Sequence, residues 1–204
     1  MSERPFHHGS LRPALLDRAE TVLRERGIDA LSLREIARDL GVSHGAPRTH
    51  FIDRQALLDA LAERGFDRLA AAMRDAAATH PHDPAAAMLA TAHAYVDFAV
   101  ADAALLDLMF ASHMEDPATP VQAAAGRFFA TIRELVASWF QAGALAGDDL
   151  ERMSLLISAT MQGIATFTSA GRVSTRQSNE LISDAVANFL TSRPPNELDP
   201  HPQS

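Results

Sequence analysis

The sequence predicts an all-α protein of about nine helices, and three observations lead there. Apolar residues recur three and four positions apart along almost the whole chain, the spacing that lines one face of a helix. No segment alternates apolar with polar residues as a half-buried strand does. Proline, glycine and small polar residues gather where one apolar stripe ends and the next begins. Together they place helices at about 11–26, 33–40, 44–50, 54–79, 84–100, 103–113, 118–144, 149–171 and 176–191.

Leu15, Leu16, Ala19, Val22 and Leu23 form the stripe of the first helix, which ends at Arg26-Gly27. The second opens on Ser32 with Glu35 three residues on. That is the pattern of a capping box, in which each side chain accepts from the other residue's backbone N–H. Leu33, Ile36, Ala37 and Leu40 give this helix a buried face, and Gly41 stands where a left-handed cap is expected. Val42 can fill the space between the helices, and Ser43 can cap the third. The pattern is that of a helix-turn-helix, whose second helix is short enough to enter a DNA major groove. A plain helical hairpin would share the same apolar spacing. Asp53 is placed to cap the long fourth helix, and His80-Pro81-His82-Asp83-Pro84 ends it and caps the fifth. Asp116-Pro117 and Thr119-Pro120 open the seventh helix, Gly147-Asp148 the eighth, and Gly171 with Ser174 separates the last two. The polar, Pro-rich tail 193–204 is expected to be disordered.

Leu31-Ser32-Leu33, Ile36-Ala37, Leu40-Gly41-Val42-Ser43, Gly45, His50-Phe51 and Leu57-Leu58 closely resemble the signature of the TetR family of transcriptional regulators. His7-His8-Gly9-Ser10-Leu11-Arg12 is similar to the N-terminus of one branch of it. The resemblance covers about the first third of the chain; beyond it, only the succession of helices agrees. It implies an N-terminal three-helix DNA-binding domain over 1–52 and a helical effector-binding and dimerisation domain over 54–192, with the fourth helix as a rod between them. By the resemblance, Arg34 reaches a base or a phosphate. Ser43, His44, Gly45 and Ala46 open the recognition helix, where the near-absence of side chains at Gly45 and Ala46 lets the backbone approach DNA. Thr49, His50 and Arg54 are implied to bind phosphate. Two positions depart from the family: Arg48 stands where an aromatic residue is usual, and Arg54 where Lys is usual. Arg54 keeps the charge, and Arg48 offers a guanidinium that suits a phosphate or a guanine edge.

The implied mechanism is that of a homodimeric repressor on double-stranded DNA. Two recognition helices lie about 34–36 Å apart on an inverted repeat. A small molecule in the body changes that spacing, and it must bind the non-DNA state better to do so. The charge permits this. The formal net charge is −8, yet residues 1–65 hold ten Arg and ten acids, while eight Arg face sixteen acids in the rest, and there is no Lys. Local rather than net charge sets the attraction to phosphate.

The absence of cysteine excludes disulfides and thiolate metal sites. No run approaches the roughly 20 apolar residues that span a bilayer. Charged residues and Pro5 stand where a signal peptide would be apolar, so a soluble cytoplasmic protein with no membrane partner is expected. No cofactor is implied. His80-Pro81-His82-Asp83 lacks a matched second cluster and reads as a polar loop, not a metal site. Enzyme signatures are missing. His93 and Asp97, one helical turn apart, leave a helical enzyme as one alternative, and a DNA binder without an effector is another. For the effector site, Met109, Phe110, Phe128, Trp139 and Phe167 are expected to form the apolar wall. His93, His113, Arg127 and Gln162 would orient the ligand, Arg127 being suited to a carboxylate. For a dimer interface the stripe Met153, Ile157, Met161 and Ile164 is expected, with Leu156, Thr160, Gly163 and Phe167 beside it. Ile182, Val186, Phe189 and Leu190 would complete an intermolecular four-helix bundle.

Overall fold

The structure, a computed structural model, describes residues 11–111, 119–146 and 149–191. They form eight α-helices: α1 (Leu11–Arg26), α2 (Leu33–Asp39), α3 (Arg54–Ala78), α4 (Pro84–Ala101), α5 (Ala103–Ala111), α6 (Pro120–Gln141), α7 (Leu150–Ser169) and α8 (Thr175–Thr191). Two short 3-10 turns, Ile28–Ala30 and Ala46–Thr49, complete the regular structure among the described residues. The expected tail 193–204 lies outside them.

The third predicted helix, 44–50, is the segment that differs in kind: it is the 3-10 turn Ala46–Thr49. Pro47 has no N–H to give, and the turn is capped by Gly45 without a side-chain bond, so Ser43 is not its cap. The capping box expected at α2 does not form either. Ser32 is extended and its carbonyl accepts from the Ile36 N–H at 3.0 Å, but its side chain makes no cap hydrogen bond. Glu35 instead lies 3.7 Å from Arg38. The end of α2 follows the sequence closely. Gly41, at φ 67°, lets its own N–H reach the Arg38 carbonyl and the Val42 N–H reach the Ala37 carbonyl, at 3.1 and 3.0 Å. A side chain at that φ would be strained, which is why glycine is placed there.

The other caps explain where the longer helices begin. Asp53 accepts from the Ala56 N–H at 2.8 Å, and Asp83 from the Ala86 N–H at 3.0 Å. Gly147-Asp148 lies outside the described residues, and Asp149 caps α7 by accepting from the Arg152 N–H at 2.9 Å. A reciprocal capping box is found at α8: the Ser174 N–H donates to Gln177 Oε1 and the Gln177 N–H to Ser174 Oγ, at 3.0 and 3.3 Å.

The chain forms two compact units. The N-terminal unit takes the described residues up to Arg68 together with 102–126. Here α1, α2 and the turn Ala46–Thr49 pack together around Leu15, Leu23, Ile36, Phe51, Leu57 and Leu61, all almost wholly buried. Each such side chain contributes about 1.5–3 kcal/mol by leaving water. The division falls after Arg68 and not at the expected 52–54, because the first turns of α3 and all of α5 belong with the helix-turn-helix. α5 packs on α1, and it approaches α3 so closely at Gly65 that a Cβ there would lie 2.6 Å from Met109 Sδ. Asp102, just before α5, is held by Arg24 of α1 and Arg68 of α3. The C-terminal unit takes Leu69–Ala101 and the described residues from Arg127 onward, with α4, α7 and α8 packed on one another.

Candidate nucleic-acid interface and effector cavity

In the N-terminal unit, burial sorts the helix-turn-helix into two faces. Ile36, Ala37 and Pro47 point into the core, whereas Arg34, Ser43, His44, Gly45, Arg48, Thr49 and Arg54 are exposed. Ala46 and His50 are half-buried. The residues expected to meet DNA thus lie at the surface of one short stretch, with the turn Ala46–Thr49 resting on α1 and α2.

Three contacts brace that surface. Arg18 of α1 donates from Nε and Nη2 to Asp39 Oδ2 of α2, at 3.0 and 2.7 Å. This bond holds the Asp39 carboxyl below its ordinary value. The Arg12 guanidinium lies over the buried Phe51 ring, 5.4 Å from its centroid. Arg54, expected at a phosphate, donates from Nε to the Leu31 carbonyl at 3.0 Å and from Nη2 to the Ile28 carbonyl at 2.6 Å. It ties the start of α3 to the loop between α1 and α2, a role that no sequence pattern signals.

The C-terminal unit holds a cavity of about 470 Å³, its mouth included. Met88, Thr91, Ala92 and Tyr95 of α4 line one side; Val136 and Trp139 of α6 line another. Met73 of α3, Ile157, Ser158 and Met161 of α7, and Val186 and Phe189 of α8 close it. The Tyr95 hydroxyl donates to Gln162 Oε1 of α7, and burial pushes this phenol well above its ordinary value.

Of the nine residues expected to form the effector site, Trp139 lines the cavity and Gln162 braces it through Tyr95. The others stand elsewhere or lie outside the described residues. Met109 and Phe110 belong to the N-terminal unit, Met109 over Gly65 and Phe110 edge-on to Phe66 at 5.5 Å. Phe128 is buried but packs edge-on to Phe129, at 5.3 Å, and does not line the cavity. Arg127 and Phe167 are exposed, with Arg172 stacked over the Phe167 ring. His93 is half-buried away from the lining, and His113 lies outside the described residues. A helix has several faces, and apolar content alone does not say which one meets a void. The stripe Met88-Thr91-Ala92-Tyr95, spaced three and four apart and ending on the sole Tyr, was the signal available for α4.

Residues 15–61 match the family model of the bacterial regulatory proteins of the tetR family, and residues 88–189 match that of the tetracyclin repressor-like C-terminal domain. The chain belongs to the TetR family. A solved protein of unknown function from Rhodococcus sp. RHA1 is 43% identical and superposes with a TM-score of 0.83, over 92% of this chain and 97% of that one. A bacterial regulatory protein of the tetR family from Rhodococcus RHA1 shares the fold at 20% identity, with a TM-score of 0.67 over 87% of this chain and 94% of its own. The uncharacterized HTH-type transcriptional regulator YobS of Bacillus subtilis is 32% identical over 92 residues, 45% of this chain. The match covers 47% of that protein, so the chain spans about half the length of this curated relative. This TetR-family chain thus carries the family's N-terminal domain and a tetracyclin repressor-like C-terminal domain.

The last two helices of this TetR-family chain carry two apolar faces, and the structure separates them. Met161, Ile164, Ile182, Val186 and Phe189, expected at a dimer interface, are buried within the unit itself; Met153, Ile157 and Leu190 are half-buried. What remains outside is the neighbouring stripe: Leu155 at 62% exposure, Leu156 and Phe167 at 46%, Gly163, and Leu181 on α8. Of these, Leu156, Gly163 and Phe167 are the residues expected beside the inner stripe. Asp97 is exposed beside half-buried His93, a carboxylate in water with no site around it. Among the described residues no cluster of three His, Asp or Glu could hold a metal, and no helix is long and apolar enough to cross a membrane.

Proposed function

We propose that this chain is an effector-responsive repressor, a homodimer that binds an inverted-repeat operator in the cytoplasm and leaves it when a small molecule fills the cavity. The observation that supports this best is the continuity of α3. It is one uninterrupted helix from Arg54, which braces the helix-turn-helix, to beyond Met73, which lines the cavity. From Arg54 to Met73 the helix rises by 19 residue steps, about 28 Å at roughly 1.5 Å each. A ligand seated against Met73 would act on DNA binding through this helix.

In this reading Arg34, Ser43, His44, Gly45, Ala46, Arg48, Thr49 and His50 contact DNA. Arg48 and Arg34 supply the charge, and Arg54 acts chiefly by holding α3 to the loop before α2, with its remaining N–H groups turned to phosphate. The partner of the exposed stripe on α7 and α8 is a second copy of the chain, since Leu155, Leu156, Phe167 and Leu181 form an apolar surface that a monomer would leave in water. Two copies carry two reading surfaces, which suits half-sites about 34–36 Å apart. A mobility shift on inverted-repeat DNA from around the gene tests the reading: a dimer should bind it, and a cavity ligand should release it. A protein that binds no such DNA at low salt, or whose complex ignores every cavity ligand, refutes it.

A further inference from the structure

The residues lining the cavity include no Asp, Glu, Arg or His, and the chain has no Lys. Its polar groups are three hydroxyls and the Trp139 indole N–H, and each hydroxyl already gives its hydrogen away. Thr91 Oγ1 donates to the Ala87 carbonyl at 2.8 Å, Ser158 Oγ to the Ser154 carbonyl at 2.7 Å, and the Tyr95 hydroxyl to Gln162. What these oxygens still offer is lone pairs. A carboxylate entering here would lose its water, find no cation, and face oxygens of its own sign. A ketone would bring a lone pair to these oxygens and could accept only from the Trp139 indole N–H. A hydroxyl brings the missing hydrogen. Arg127, the cation expected to receive a carboxylate, is exposed on α6 and outside the lining.

We propose that the effector is a neutral, mainly apolar molecule with one hydroxyl, which donates to the Tyr95 oxygen, and that carboxylates are excluded. This rests on reading the chain as effector-responsive and names the ligand of that same cavity. The Tyr95 oxygen is the one fixed from behind by a second residue, Gln162, and so is the best oriented of the three. Met73, Met88 and Met161 supply an unbranched, adaptable wall that suits an alkyl or alicyclic body.

Trp139 lines the cavity and is the sole tryptophan, so its emission reports binding directly. Three probes of equal chain length, octan-1-ol, octan-2-one and octanoate, are titrated into the full chain at neutral pH. Octan-1-ol should bind about tenfold tighter than octanoate and about threefold tighter than octan-2-one, as expected when one good hydrogen bond decides between them. Tyr95→Phe should bring alcohol and ketone within about twofold of each other, because the acceptor is gone. If that variant fails to fold by circular dichroism, the wild-type ranking decides alone. Octanoate binding as tightly as octan-1-ol overturns the proposal, as does an emission unmoved by all three. A mobility shift run beside it separates the two readings. Operator binding with no response to any probe overturns the ligand class and leaves DNA binding standing. Alcohol-selective binding by a protein that ignores inverted repeats supports the ligand class and overturns the regulator.

Discussion

Replacing Asp102 with Ala removes the carboxylate on which two helices of the N-terminal unit converge. Arg24 of α1 donates to Oδ1 from Nε at 2.9 Å and from Nη2 at 2.5 Å, and Arg68 of α3 donates to Oδ2 at 3.1 Å. Asp102 is only 8% exposed, while the Arg24 and Arg68 side chains are 52% and 39% exposed. Breaking a buried ion pair by removing one partner costs about 3–5 kcal/mol when the survivor is stranded out of water. Here water can reach both guanidiniums, so the expected loss is smaller, about 2–3 kcal/mol. Asp102→Asn keeps an acceptor of the same shape and should lose about 1–2 kcal/mol. A double-mutant cycle with Arg24→Ala should return a coupling of about 1 kcal/mol. The Asp102 bond raises the Arg24 pKa, its hydrogen bond and its charge both favouring the guanidinium. Urea unfolding followed by circular dichroism gives the totals, and amide exchange along α1 gives the local loss. A wild-type midpoint and unchanged α1 exchange in Asp102→Ala would mean that hydrophobic packing alone fixes α5 on α1.

Four further outcomes are expected. Arg34→Ala and Arg48→Ala should weaken operator binding by about 1–3 kcal/mol each with unchanged circular dichroism; unaltered affinity in both removes the DNA-reading assignment. Arg54→Ala should both weaken binding and lower the melting temperature, since it frees the Leu31 and Ile28 carbonyls; a variant of full stability would leave phosphate contact as its whole role. Leu156→Glu with Phe167→Glu should yield a folded monomer in sedimentation, whereas Ile164→Glu should unfold the C-terminal unit; a folded dimer in the first case places the interface elsewhere. In acid, the Arg18–Asp39 clasp should fail. The folded pKa of Asp39 lies below the ordinary 3.8, so its stabilisation is present above that value and fades as pH falls beneath it. Asp39→Asn should flatten that part of the stability curve, seen in chemical shifts of α1 and α2.

Much of the helix-turn-helix was legible because its determinants are local. Gly41 terminates α2 through its own φ, and Asp53 caps α3 from three residues away. Such devices act within one turn, so the order of residues contains them. Ser32 shows the limit: the residue types of a capping box were present, but Glu35 lies by Arg38 and the box forms instead at Ser174 and Gln177. The 3-10 turn at Ala46–Thr49 was hidden in the same way, since a proline second in a helix is tolerated in an α-helix as well.

By itself, the sequence determined the succession of helices, most of their ends, and the family, because periodicity, caps and a local signature need no knowledge of neighbours. Only the tertiary structure decided what each helix faces. Which stripe of α7 is core and which is left outside depends on where α4 and α8 lie, and the two stripes are equally apolar in the chain. The same holds for Met109, which fills the space over Gly65, and for Tyr95, whose partner Gln162 is 67 residues away. Arg54 reaching back to Ile28, and Asp102 meeting Arg24 and Arg68, are likewise contacts across long stretches of chain. A side chain's chemistry is written in the sequence, but its environment is set by packing, and the cavity is made of environment.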